Sequence, residues 1–243
     1  MRYLLTVKYL GSLFCGWQVQ PNGFTVQEAL CSAAKKIFSK KTNITGCSRT
    51  DSGVHALNFC CHFDAETSIN PEKMPDAFNN NLPEGISVIK CETVPEDFHA
   101  RYDCKGKTYV YKILNSRNPD PFLYGRAYQV KYKLNVEEMQ KAAEEFIGEY
   151  DFSAFCAAGT AVEDKVRTIT DCFVRKNEDI IEISVSGNGF LYNMVRIIAG
   201  TLLEVGCGKI EPYSIKKIIL SKDRSLAGTT LPAEGLYLKE VYY

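Results

Sequence analysis

Asp51 stands in the most unusual stretch of a 243-residue chain, Gly46-Cys47-Ser48-Arg49-Thr50-Asp51-Ser52-Gly53-Val54-His55-Ala56. The stretch joins a short strand to a long apolar one. A carboxylate held in a tight turn at the mouth of a sheet, with Arg49 two residues away and a glycine to let the backbone turn, is positioned as an ionised nucleophile or base. Asp-Ser-Gly is equally common turn chemistry, so the same residues also read as a plain turn. A second segment, Phe98-His99-Ala100-Arg101, precedes a strand containing Lys107-Thr108-Tyr109-Val110-Tyr111-Lys112. Aromatic rings alternating with cations suit nucleic acid, because rings stack unpaired bases while Lys and Arg meet phosphates. The competing reading is a half-buried strand with solvated lysines. A third segment runs from Gly187 to Arg196, which is followed directly by Ile197, Ile198 and Ala199. A guanidinium on such an apolar helix either points inward to a carboxylate partner or snorkels to the surface.

The elements that must position these residues are legible from periodicity and caps. Arg2 to Tyr9 alternates as a strand closed by the Tyr9-Leu10-Gly11 turn. Thr25 and Glu28 have capping-box spacing ahead of Leu30, Ala33, Ala34 and Ile37, and the helix stops near Ser39 to Lys41. Val54 to Phe63 reads as a mostly buried strand, Asn70-Pro71 as a helix start, and Ile86 to Thr93 as a strand, so the first hundred residues run β-α-β-α-β. A second series follows: a strand at Lys107 to Leu114, a helix capped by Asn135 and Glu138 and ending at Gly148, and strands at Thr168 to Arg175 and Asp179 to Ser186. It continues with an apolar helix over Phe190 to Val205, another containing Ile215 to Leu220, and a last strand at Leu236 to Tyr242. The pattern predicts an α+β fold, sheets backed by helices, in two halves at 1–104 and 105–243.

Composition bounds the rest. With 45% hydrophobic and 24% charged residues, the chain is an ordinary folded protein rather than a disordered one. The longest strongly apolar stretch, Ile197 to Leu203, is far short of the roughly 20 residues of a membrane span. No signal-peptide core forms before Lys8, so a cytoplasmic location is expected, with no membrane partner. Ten cysteines show no Cys-x-x-Cys spacing, and His55, His62 and His99 form no His-x-x-x-His pair, so no metal is expected. Reduced thiols packing as small hydrophobes fit a reducing compartment.

Taken together the segments resemble one family, the bacterial tRNA pseudouridine synthase A (TruA) type. The match is ordered along the chain: Tyr9-Leu10-Gly11, Gly16-Trp17-Gln18, Arg49-Thr50-Asp51-Ser52-Gly53-Val54-His55, Asn81-Leu82-Pro83 and Val94-Pro95. It continues through Asp97-Phe98-His99-Ala100-Arg101, Lys107 to Tyr111, Met194-Val195-Arg196, Glu204-Val205-Gly206 and Ala233 to Leu238. The resemblance implies two ferredoxin-like halves with a basic active-site cleft between them, a homodimer, no cofactor, and isomerisation of uridine to pseudouridine at positions 38, 39 and 40 in the anticodon arm of tRNA. It implies that Asp51 is the catalytic nucleophile, attacking either the ribose anomeric carbon or the uracil ring. Tyr109 would stack on the uracil and stand ready to move a proton, Arg196 would pair with the catalytic carboxylate, and Arg49 would help hold the flipped nucleotide. Ser48 and Ser52 stand where the family usually has Gly and Ala, and Leu10 replaces its usual aspartate; these bear on the loop rather than on the chemistry.

Two alternatives stand beside this reading: a paralogue that modifies a different uridine or a different RNA, and a non-catalytic tRNA-binding protein on the same scaffold. The formal charge of zero does not speak against RNA, because its distribution is uneven. Residues 1–50 carry seven cations and one anion, residues 51–100 two and nine, and residues 101–133 eight and two. Basic stretches therefore flank Asp51 in sequence, and the acidic one limits unspecific binding.

Overall fold

A computed structural model describes residues 1–159 and 162–243. The chain divides into two compact units, one formed by Met1–Lys105 with Tyr237–Tyr243 and the other by Gly106–Leu236. The continuous part of the first unit ends at Lys105, and the end of the chain rejoins that unit from Tyr237 on. Tyr237 and Leu238 pair in parallel with His55 and Ala56, which returns the C-terminus to the first unit. Pairing to a strand some 180 residues earlier leaves no trace in local periodicity.

In the first unit β1 (Arg2–Tyr9) lies between β4 (Ile86–Val94) and β3 (His55–Asp64), antiparallel to both, and β10 (Leu236–Tyr242) runs beside β3. The two-residue β2 (Thr45–Gly46) pairs with the far end of β3. Two helices accompany this sheet, α1 (Val26–Phe38) and α2 (Met74–Asn79). The start of α1 is the expected one: the Glu28 N–H donates to Thr25 Oγ1 at 3.2 Å, and Ser39 ends it in the left-handed conformation at φ 54°. Its apolar stripe of Val26, Leu30, Ala33 and Ala34 is fully buried.

In the second unit β5 (Gly106–Leu114), β9 (Ile180–Gly187), β8 (Val166–Asn177) and β7 (Gly148–Asp151) follow one another in an antiparallel sheet. The short β6 (Tyr128–Gln129) runs parallel to the end of β5. Helices α3 (Val136–Glu144), α4 (Met194–Gly206) and α5 (Ile215–Ser221) belong to this unit. Two boundaries differ from expectation. α3 ends at Glu144, and Gly148 instead opens β7, because residues 148–151 find ladder partners in Ile169 to Val166. α4 begins at Met194 rather than Phe190, because Asn193 takes the left-handed conformation at φ 59° and breaks the apolar run.

None of the ten cysteines forms a disulfide. Burial pushes the Cys60 thiol up to about 11 and that of Cys91 up to about 12, so both stay protonated and pack as small hydrophobes.

Candidate active site

Asp51 sits half-buried in the connection from β2 to β3. Its carbonyl accepts from the Val54 N–H at 3.1 Å, which closes a turn through Gly53. Neighbouring elements hold this loop at several points. The buried Thr50 hydroxyl meets the Tyr9 hydroxyl at 2.8 Å, and the Thr50 carbonyl accepts from the Trp17 N–H at 3.1 Å. His55, fully buried, accepts at Nδ1 from the Gly11 N–H at 3.1 Å, and its ring stacks on Tyr237 with centroids 4.5 Å apart. Ser52 donates to the Phe14 carbonyl at 3.4 Å. Such anchoring is more than a connecting turn needs, and it gives the carboxylate a defined position, as nucleophilic catalysis requires.

Gly16 is part of that anchoring. It holds φ +80°, and a Cβ there would lie 2.8 Å from the Thr50 carbonyl oxygen and 3.2 Å from the Asp51 carbonyl carbon. Gly16→Ala is expected to cost about 2 kcal/mol or more from the left-handed backbone and the clash together. That corresponds to a melting temperature lower by roughly 4–8 °C; an unchanged thermal melt would mean the loop adjusts freely.

The second unit carries Tyr109 and Arg196. Tyr109, in β5 opposite Val185, is only 8% exposed, and its ring meets Phe190 edge to face with centroids 5.1 Å apart. Tyr111, two residues on, is completely buried and donates its hydroxyl to the Pro232 carbonyl at 2.7 Å, so the second ring of the expected aromatic face is structural. Lys112 pairs with Glu182 at 3.1 Å. Arg196 lies in the first turn of α4, half-buried; Nε donates to the Leu231 carbonyl at 2.6 Å and Nη1 to Asn193 Oδ1 at 2.7 Å. The arginine is thus tied down in its own unit rather than snorkelling.

Periodicity did not reveal the strap along α4. Residues 228–231 run against a face made by Arg196, Gly200, Thr201 and Glu204, spaced as one helical side. The Gly228 N–H donates to Thr201 Oγ1 at 2.9 Å and the Thr229 N–H to Glu204 Oε1 at 3.0 Å. At Gly200 a Cβ would lie 1.8 Å from the Thr229 carbonyl oxygen, so only glycine admits the strap there.

Arg49 is exposed and lines a hollow of about 200 Å3 in the first unit with Trp17, Ser48, His99, Arg101 and Tyr102. Asp51 and Arg49 thus share one loop of the first unit, whereas Tyr109 and Arg196 belong to the second. Among the described residues no group of three or more His, Cys, Asp or Glu side chains is placed to hold a metal ion, and no helix is long and apolar enough to cross a membrane.

The turn that bears Arg101 and Tyr102 is bolted to the core. Ala100, fully buried, donates its N–H to His62 Nδ1 at 3.1 Å and accepts the Tyr243 hydroxyl at 2.8 Å. His62 is held down to about 4, first by burial and then by its neighbours Arg2 and His99, against weaker opposite pulls from Asp64 and Asp103. The unfolded chain titrates near 6.5, so between pH 6.5 and 4 it binds more protons than the folded one. Stability is therefore fully present above pH 6.5 and falls toward pH 4, by on the order of 2 kcal/mol from this group. In His62→Asn an amide oxygen can accept from Ala100 without titrating, so the urea midpoint should lose part of its acid dependence; identical pH profiles would refute the assignment.

Three comparisons with known proteins bear on this geometry. The sequence profile of the family described as tRNA pseudouridine synthase matches residues 5–103 and 142–243. A tRNA pseudouridine synthase A from Ruminiclostridium cellulolyticum is 50% identical over 240 residues, covering 98% of each chain. Another, from Bacillus subtilis, is 46% identical over 245 residues, covering 100% of this chain and 99% of its own. A solved Cbf5-Nop10-Gar1 complex is similar at 17% identity and a TM-score of 0.36, over 83% of this chain and 45% of that one, too distant to support an argument.

Proposed function

Because the chain belongs to the tRNA pseudouridine synthase family, we propose that it isomerises uridine to pseudouridine in tRNA, at positions 38, 39 and 40 of the anticodon arm. The observation that carries the reading is the Asp51 loop, a carboxylate in a multiply anchored turn within a chain whose likeness to the relatives runs end to end. In the reaction the bond from the ribose anomeric carbon to N1 breaks, the uracil turns, and a bond from the same carbon to C5 forms. The hydrogen on C5 leaves as a proton while N1 gains one, so the atoms balance with no change of oxidation state.

Asp51 acts as the nucleophile toward the flipped uridine. Taking a base out of a stem costs a few kcal/mol, and stacking on Tyr109, a ring already held by Phe190, offsets part of it. Arg49, exposed beside Asp51, holds the flipped nucleotide, and Arg196 supplies positive charge that keeps the reacting carboxylate ionised. The reading includes a homodimer working in the cytoplasm on tRNA as its partner, without cofactor or metal.

Tritium release from 5-tritiated uridine in unmodified tRNAs differing only at positions 38, 39 and 40 tests reaction and position together. Release is expected from each tRNA carrying uridine at one of these positions and none when all three are cytidine. Release from the all-cytidine tRNA would instead mark an enzyme for another uridine, and no release from any tRNA would leave a binding protein.

A further inference from the structure

We propose that the hollow lined by Arg49 and Arg101 is a second nucleotide subsite. There the two guanidiniums clamp a backbone phosphate and Tyr102 stacks an unpaired base of the nucleotide flanking the flipped uridine. The inference rests on tRNA being the substrate and adds to that reading a place where a neighbouring nucleotide is read.

Four features of the hollow point to such a ligand. Arg49 and Arg101 are both exposed, and neither makes an ion pair among the described residues. Two like charges lining one cavity of about 200 Å3 repel each other, and an anion between them relieves this. Tyr102 is 78% exposed, yet its ring is not loose: it stacks on His99 with centroids 4.2 Å apart, leaving its other face to solvent. Ser48 lines the hollow too, and its Oγ is buried with no hydrogen-bond partner among the described residues, so a rotation about χ1 toward a ribose or phosphate oxygen gives up no bond within the protein.

The fourth feature is the rigidity of the support. His99 Nδ1 accepts from the N–H groups of both Arg101 and Tyr102, at 3.1 and 3.3 Å, and the His99 N–H donates to Asp103 Oδ2 at 2.7 Å. The nearest carboxylate of the turn is therefore spent inside it. With Ala100 fastened to His62 and Tyr243, the turn presents a cation and a ring in fixed orientation, which lowers the ordering cost of binding. A guanidinium pair with a stacking ring is the chemistry of single-stranded RNA binding. Arg49 is two residues from Asp51, at most about 7 Å along the chain, which makes the occupant a close neighbour of the reacting nucleotide.

The test uses the full-length protein with Arg101→Gln, Tyr102→Ala and Tyr102→Phe. On an unmodified tRNA transcript, Arg101→Gln and Tyr102→Ala are each expected to raise KM about 10-fold with kcat unchanged, whereas Tyr102→Phe keeps the wild-type KM because its ring still stacks. Arg101→Gln should also lower the slope of log KM against log salt by roughly 0.7 to 0.9, the mark of one lost phosphate contact, and Tyr102→Ala should not. Trp17, the single tryptophan of the chain, lines the hollow, so its emission reports occupancy directly. A single-stranded RNA hexamer should change that emission in the wild type and not in the Arg101→Gln/Tyr102→Ala double variant. Wild-type KM and salt slope in both single variants of an enzyme that turns over would overturn the subsite and leave the proposed function standing. A wild type that releases no tritium from tRNA overturns the function, and the hexamer response of Trp17 then decides the subsite alone.

Discussion

Asp51→Ala is expected to lower tritium release from tRNA by about 10^4-fold or more, because a nucleophile lost from a concerted site removes most of the acceleration. The variant should fold. The turn at this position is closed through the main chain, by the Asp51 carbonyl and the Val54 N–H, and the flanking anchors belong to Thr50, Ser52 and His55. Affinity for tRNA should be kept, since removing an anion beside a polyanionic ligand adds no repulsion. Asp51→Asn separates charge from shape: it keeps the volume and must be as inactive as the alanine. Turnover within about 10-fold of wild type in either variant would remove Asp51 from the role of nucleophile.

The second large effect belongs to Arg196→Met. The substitution deletes the donors to the Leu231 carbonyl and Asn193 Oδ1, so some stability is lost, about 1–3 kcal/mol, or a melting temperature lower by several degrees. The larger expected loss is in kcat/KM, on the order of 10^2- to 10^3-fold, as for other charges aimed at a reacting centre. The two effects are separable by pH. Without the positive charge a carboxylate is harder to ionise, its pKa rises, and the acid limb of the rate profile moves to higher pH. A stable variant with a near-normal rate and an unmoved acid limb would mean that Arg196 only fastens residue 231 to α4.

Much of this was readable in the sequence because it depends on neighbours along the chain. The Thr25 cap with Glu28 and the strands Arg2–Tyr9 and Leu236–Tyr242 follow from side-chain periods and capping chemistry that act within a few residues. Asp51, Arg49 and Arg196 stood out as polar groups set in turn or apolar contexts, whereas the choice of Tyr109 over Tyr111, and the roles of all four, came from the family resemblance. Where the sequence misled, the cause was a ladder partner or a single backbone conformation: residues 148–151 form β7 because β8 pairs with them, and Asn193, left-handed, delays α4 against the helical period of its apolar neighbours.

Residue types and local order thus determined the elements, the chemistry available and the family. Only the tertiary structure decided that Tyr111 is structural while Tyr109 meets Phe190, that the C-terminal strand belongs with β3, and that Gly200 admits the strap at Thr229. It alone assembled Arg49, Arg101 and Tyr102 around one hollow, although Arg49 and Arg101 lie 52 positions apart in the chain. Local propensity acts over one or two turns of chain, whereas a close approach of segments depends on buried hydrogen bonds and packing that pair residues far apart in sequence.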